Sequence, residues 1–67
     1  MLNASDQENV VKSSQTANLL VQDLLELVKA TNPLLAEMAI EILEQAVQIE
    51  RRLKRIESST TSTENIA

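Results

Sequence analysis

The side chains most capable of chemistry are acidic groups in the middle of the chain. Glu37, Glu41 and Glu44 follow an i, i+4, i+7 spacing, which places three carboxylates on one face of a helix. Carboxylates grouped in this way can bind a hard cation or carry out general acid–base catalysis. Gln45 and Gln48 lie beside them, and the apolar residues lie on the other side of the same helix. We therefore interpret the group as a solvated acidic face.

Composition excludes other kinds of active or metal-binding site. The 67-residue chain has no Cys, His, Gly, Trp, Tyr or Phe. Without thiolates and imidazoles it lacks the usual ligands of zinc, haem and iron–sulfur clusters. Without Gly it has no Gly-rich phosphate loop, and no serine has a His or a suitably placed Lys to activate it. We predict that the protein is not an enzyme and has no catalytic, metal-binding or cofactor-binding residues.

A basic cluster near the end of the chain is the candidate for nucleic-acid contact. It consists of Arg51, Arg52, Lys54 and Arg55. Such a run of cations can neutralise backbone phosphates. The chain nevertheless has a formal net charge of −4, and cations also suit the negative end of a helix dipole. Nucleic-acid contact is therefore kept as an alternative hypothesis.

Two helices must position these residues. Residues 5–8, Ser-Asp-Gln-Glu, have the spacing of a capping box, which predicts the start of a first helix. Asn32 followed by Pro33 predicts the start of a second, because Asn is a good N-cap and Pro is tolerated at the first helical position. No Gly is present to end the first helix in a left-handed cap.

The predicted domain is a helical hairpin over residues 1–57. Its first helix covers about 5–30, the turn 31–32 and the second helix about 33–57. Residues 58–67 are rich in Ser and Thr and lack apolar periodicity, so we predict a disordered tail. The alternative is one long helix that is kinked at Pro33 and forms a coiled coil.

Apolar periodicity is the strongest signal in the sequence. Each helix carries residues spaced alternately by three and four, as in a coiled-coil seam. In helix 1 the seam is Val10, Ser14, Ala17, Val21, Leu24 and Val28. In helix 2 it is Leu35, Ala39, Ile42, Ala46, Ile49, Leu53 and Ile56. A tight hairpin would place residue i of helix 1 opposite about residue 63−i of helix 2.

The apolar arc of helix 2 is wider than one partner helix can cover, because a second line of apolar residues flanks its seam. An isolated hairpin of this size also builds little core. We therefore predict an all-α, antiparallel two-helix hairpin that assembles into a homodimeric four-helix bundle. The predicted interaction surface is Leu20, Leu24, Leu27, Ile40, Leu43 and Val47.

These features predict a small protein–protein interaction module, such as an adaptor, assembly factor or inhibitor of a larger partner. One alternative is a nucleic-acid-binding regulator that uses the basic cluster. Another is a small-molecule sponge with pockets at subunit interfaces. No apolar run approaches the ~18 residues of a membrane-spanning helix, and the polar, acidic start of the chain does not resemble a secretory signal. We expect a cytoplasmic location and no membrane contact.

Overall fold

The protein folds as two helices that pack against each other. The computed structural model describes residues 3–66, and the side chains of residues 3–59. Helix α1 is Ala4–Leu27 and helix α2 is Pro33–Ile66, and the two make an extended contact. The molecule is 51 Å long and 16 by 13 Å across. The all-α hairpin is confirmed. The alternative of one long, kinked helix is wrong, because the chain reverses at residues 28–32.

Helix α1 begins two residues earlier than the capping-box prediction. Asn3 is the N-cap, and its side-chain Oδ1 accepts a hydrogen bond of 2.7 Å from the backbone N–H of Asp6. Ser5 therefore lies in the first turn of the helix instead of capping it. Asn3 and Ser5 can both cap a helix, and Asn3 takes this role because Asn caps at least as well as Ser.

Helix α1 ends without a glycine. The backbone N–H of Lys29 donates to the Glu26 carbonyl at 3.1 Å, and that of Ala30 donates to the Leu27 carbonyl at 3.0 Å. These i→i−3 bonds tighten the last turn and satisfy carbonyls that would otherwise lack partners. Within residues 3–66 no residue has a positive φ. The helix ends three residues earlier than predicted because this tightening begins after Leu27.

Helix α2 begins as the sequence predicts. The Asn32 side-chain Oδ1 accepts from the backbone N–H groups of Leu34 at 3.0 Å and Leu35 at 3.1 Å. Pro33 is the first helical residue, where its missing N–H leaves no hydrogen bond unmade. The two residues together explain why the second helix starts sharply after an irregular turn.

Helix α2 continues beyond its predicted end at residue 57. It runs to Ile66, through most of the segment for which the sequence predicts a disordered tail. No Gly or Pro follows Pro33 to interrupt the helix. Ala67, the last residue of the predicted tail, lies outside the described residues.

The contact between the helices is built mainly from small side chains. Among residues 3–59 the buried set is Ser14, Ala17, Val21, Leu24, Ala39 and Ala46. Leu24 and Val21 form the centre of the core with Ala46, and Leu43 and Val47 pack partly buried against them. Small residues let two helix backbones approach closely, but each buries little apolar surface. The hairpin therefore has a thin core.

The pairing of the helices is shifted by about one turn from the predicted register. Asn18 of α1 hydrogen-bonds to Glu50 of α2, and Val21 shares the core with Ala46. These contacts place residue i opposite about residue 67−i, whereas a tight hairpin predicts 63−i. The five-residue connection at 28–32 lets α2 begin beyond the end of α1, and Leu34 and Leu35 at that end are exposed.

The predicted seam of α1 is confirmed, but that of α2 is only half right. Its alanines are buried, and Leu53 is half-buried. Leu35, Ile42, Ile49 and Ile56 were expected to be buried, yet all are exposed. The half-buried positions on the other flank of the alanine line include Leu43, Glu50 and Glu57. The shifted register rotates α2 so that its alanine line faces α1 and the isoleucines lie at one edge.

Candidate interaction surface

A line of large, exposed aliphatic side chains recurs along α2 and is called here the isoleucine stripe. It consists of Leu35, Ile42, Ile49 and Ile56. These residues recur every seven positions and are each 42–49% exposed. A spacing of seven keeps them on one side of the helix over about six turns.

Helix α1 contributes apolar residues to the same side of the hairpin. An open groove between the helices is lined by Ser13, Thr16 and Leu20 of α1 and by Ile49 and Leu53 of α2. Leu20 is 45% exposed. Leu27, seven residues further along, continues the same line and is 38% exposed. This side of the hairpin is therefore apolar towards the turn and more polar towards the chain ends.

The opposite side of the hairpin holds a polar contact between the helices. The Asn18 side-chain Nδ2 donates to the Glu50 Oε2 at 2.6 Å, in a partly buried position. The Gln22 Nε2 donates in turn to the Asn18 Oδ1 at 2.9 Å. Because the carboxylate and the amide satisfy each other, this side is held together by hydrogen bonds as well as by packing.

The six residues of the predicted interaction surface do not form one patch. Leu24 is in the core, and Leu43 and Val47 are half-buried against it. Leu20 and Leu27 lie on the side of the isoleucine stripe. At 100° per residue, Ile40 and Val47 point to the other side of the Ala39–Ala46 line. The structure thus divides the predicted surface between two sides of the hairpin.

The residues of the isoleucine stripe were missing from the predicted surface because they were assigned to the contact within the hairpin. Their spacing of seven was visible in the sequence. Two seams on α2 overlap, because both include Ala39, Ala46 and Leu53. One seam combines these residues with the isoleucine stripe, and the other combines them with Leu43 and Glu50. Periodicity alone does not tell which of two adjoining seams a single partner helix covers.

The basic cluster is exposed throughout and spreads around α2. All four of its cations are exposed, and Lys54 lines a shallow groove with Glu57 and Asn18. Arg51, Arg52 and Arg55 project from the side of α2 that faces away from α1. The cluster therefore does not form a single flat patch on one face of the hairpin.

The acidic residues Glu37, Glu41 and Glu44 are exposed on the outer side of α2. Within the described part of the chain, no group of three or more acidic side chains is placed to hold a metal ion. Within residues 3–66, no helix has the length and apolar character needed to cross a membrane.

Comparison of the chain with known protein families, with curated proteins and with solved structures finds no match.

Proposed function

We propose that the protein is a non-enzymatic protein–protein interaction module that assembles as a homodimeric four-helix bundle through the isoleucine stripe. The observation that carries the proposal is the exposure of Leu35, Ile42 and Ile49 at intervals of seven residues. A heptad line of large aliphatic residues is the pattern by which one helix packs against another. Leu20 and Leu27 widen the same surface, so that both helices of the hairpin would contact the second copy.

The thin core of the hairpin supports the same conclusion. Among residues 3–59, twelve large hydrophobic side chains are exposed by about a third or more, while the buried residues are mostly Ala and Ser. Chains of this size usually need disulfides, metals or association to complete a core. The chain has no Cys with which to form a disulfide. A second copy would supply the missing apolar partner.

The direct test is the mass in solution, measured by light scattering with refractive-index detection, because the chain lacks Trp and Tyr. We expect twice the chain mass, persisting on dilution to micromolar concentrations. A folded monomer would contradict the homodimer and would direct the search to a larger protein that covers the stripe.

A matched pair of variants tests where the surface lies. Ile40 and Ile42 are both 46% exposed, two residues apart, on different sides of the alanine line. We expect Ile42→Asp to dissociate the dimer because it buries a charge in the contact, and Ile40→Asp to leave the dimer intact. The milder pair Ile42→Ala and Ile40→Ala repeats the comparison if the Asp variant unfolds. The proposed dimer surface would be on the wrong side of the hairpin if the Ile40 variants dissociated and the Ile42 variants did not.

A further inference from the structure

We propose that the second copy packs with its α2 antiparallel to the first α2, and that the order of charges along the helix selects this orientation. The inference rests on the proposed homodimer and specifies its geometry. In an antiparallel pair centred on the stripe, residue i lies opposite about residue 91−i of the second copy. Ile42 then meets Ile49 of the second copy, and Leu35 meets Ile56 of the second copy. The apolar pattern of the stripe is self-complementary in this orientation.

The polar residues along the outer edge of the stripe change from acidic to basic along α2. At 100° per residue they form one line beside the isoleucines. In chain order the line is Glu41, Gln45, Gln48 and Arg52. All four side chains are exposed. None of the charged ones takes part in the ion pairs described for residues 3–59, which are Lys12–Glu8 and Lys29–Glu26.

Antiparallel packing brings opposite charges together along this edge. Glu41 lies about two residues, or ~3 Å, along the axis from Arg52 of the second copy. The two-fold axis repeats this pair, and it places Gln45 near Gln48 at the centre. The edge therefore carries complementary charges on both sides of the axis, which is how helices select partner orientation.

The other arrangements of a second copy do not bring these opposite charges together. If α2 ran parallel to α2 of the second copy, Glu41 and Arg52 of the second copy would lie eleven residues, or ~16 Å, apart along the axis. If α2 instead packed on α1 of the second copy at the register of the hairpin, Glu41 would lie level with Glu26. Arg55 would then lie level with Lys12. Glu26 already pairs with Lys29 at 3.0 Å, and Lys12 already pairs with Glu8 at 3.7 Å.

Single-cysteine variants test the orientation, because the chain has no Cys of its own. Gln45 and Met38 are seven residues apart on the same side of α2. In the antiparallel dimer Gln45 lies within ~1.5 Å, along the axis, of its symmetry mate, whereas Met38 lies ~22 Å from its mate. We expect a short bis-maleimide to cross-link Gln45→Cys chains and to leave Met38→Cys chains separate, with both variants dimeric by mass.

Each other outcome overturns the inference in a recognisable way. Cross-linking at both positions would mean parallel helices. Cross-linking at neither position, with the mass still that of a dimer, would place α2 against α1 of the second copy and leave the homodimer standing. A monomeric wild-type chain would remove the homodimer and the orientation together.

Charge reversal provides an independent test. We expect Glu41→Arg or Arg52→Glu alone to raise the dissociation constant of the dimer about tenfold, because two symmetry-related pairs become repulsive. The double variant restores opposite charges and should return the constant to near the wild-type value. Glu44→Arg, which makes the same change on the side away from the stripe, is the control. A double variant that dissociates more readily than either single variant would contradict the antiparallel arrangement.

Discussion

The two seams of α2 differ in the size of their side chains. The seam that faces α1 contains the buried alanines Ala39 and Ala46, and Ala46 packs against Val21 and Leu24 of α1. The isoleucine stripe lies directly beside this seam on the surface of the helix. Its large aliphatic side chains are half-exposed. Small side chains permit a close approach of backbones, and large ones provide apolar area. One helix thus presents one surface suited to a close neighbour and another suited to burial.

This difference indicates that the hairpin contact and the proposed dimer contact have separate tasks. The small-residue seam fixes the distance and register of α1 and α2, with Asn18 and Glu50 joined across it. The stripe holds apolar area that the hairpin leaves in water. Because the two surfaces adjoin, substitutions of the same kind at neighbouring positions should have different consequences, and this can be measured.

The largest expected effect is at the centre of the hairpin core. Leu24 is 7% exposed and Leu25 is 45% exposed. We expect Leu24→Ala to lower the free energy of unfolding by about 2–5 kcal/mol, and Leu25→Ala by less than ~1 kcal/mol. Urea unfolding followed by far-UV circular dichroism at one fixed chain concentration measures both, since association would add to the stability. Equal losses would mean that the core does not lie where the structure places it.

An effect of intermediate size is expected from filling the small-residue seam. Ala46→Leu adds three carbon atoms at a position that is only 3% exposed and packs against Val21 and Leu24, so we expect a loss of about 1–3 kcal/mol in the free energy of unfolding. Gln48→Leu, an exposed position on the same helix, should change it by less than ~0.5 kcal/mol. If Ala46→Leu instead stabilised the protein, the seam would contain space for a larger side chain. That result would contradict a close contact between small residues.

The smallest effect concerns the polar contact across the hairpin. Glu50→Ala removes the acceptor of the 2.6 Å bond from Asn18, and we expect a loss of about 1 kcal/mol in the free energy of unfolding. Glu50→Gln keeps an acceptor oxygen and should lose less, while Glu44→Ala serves as an exposed control. Thermal unfolding followed by circular dichroism distinguishes the three. Identical midpoints for Glu50→Ala and Glu44→Ala would show that the bond adds nothing to stability.

Local signals predicted those parts of the fold that depend on a few neighbouring residues. Asn32 and Pro33 begin α2 as expected, because a cap needs only its own side chain and the next backbone N–H groups. The seam of α1 was also predicted, since α1 has one continuous apolar line. The N-cap of α1 is Asn3 and not the predicted Ser5, because both residues are able to cap the helix.

The exposure of individual apolar residues was predicted less well than the helical fold. The sequence indicated excess apolar residues on both helices, and the structure agrees that many are exposed. The sequence did not indicate that Ile42 and Ile49 would be exposed, or that Leu43 and Val47 would pack on the core. That distinction depends on how far α2 is rotated and shifted against α1, which no local pattern encodes.

The sequence by itself determined the helical class, the reversal near residue 32 and the presence of more apolar side chains than one helix pair can bury. Each of these follows from local propensity, capping chemistry or a count of periodic residues. Only the tertiary structure decided the register near 67−i and the choice between two adjoining seams on α2. The reason is physical: both seams share the same alanines, and small residues allow the helix to rotate until the best close contact is reached.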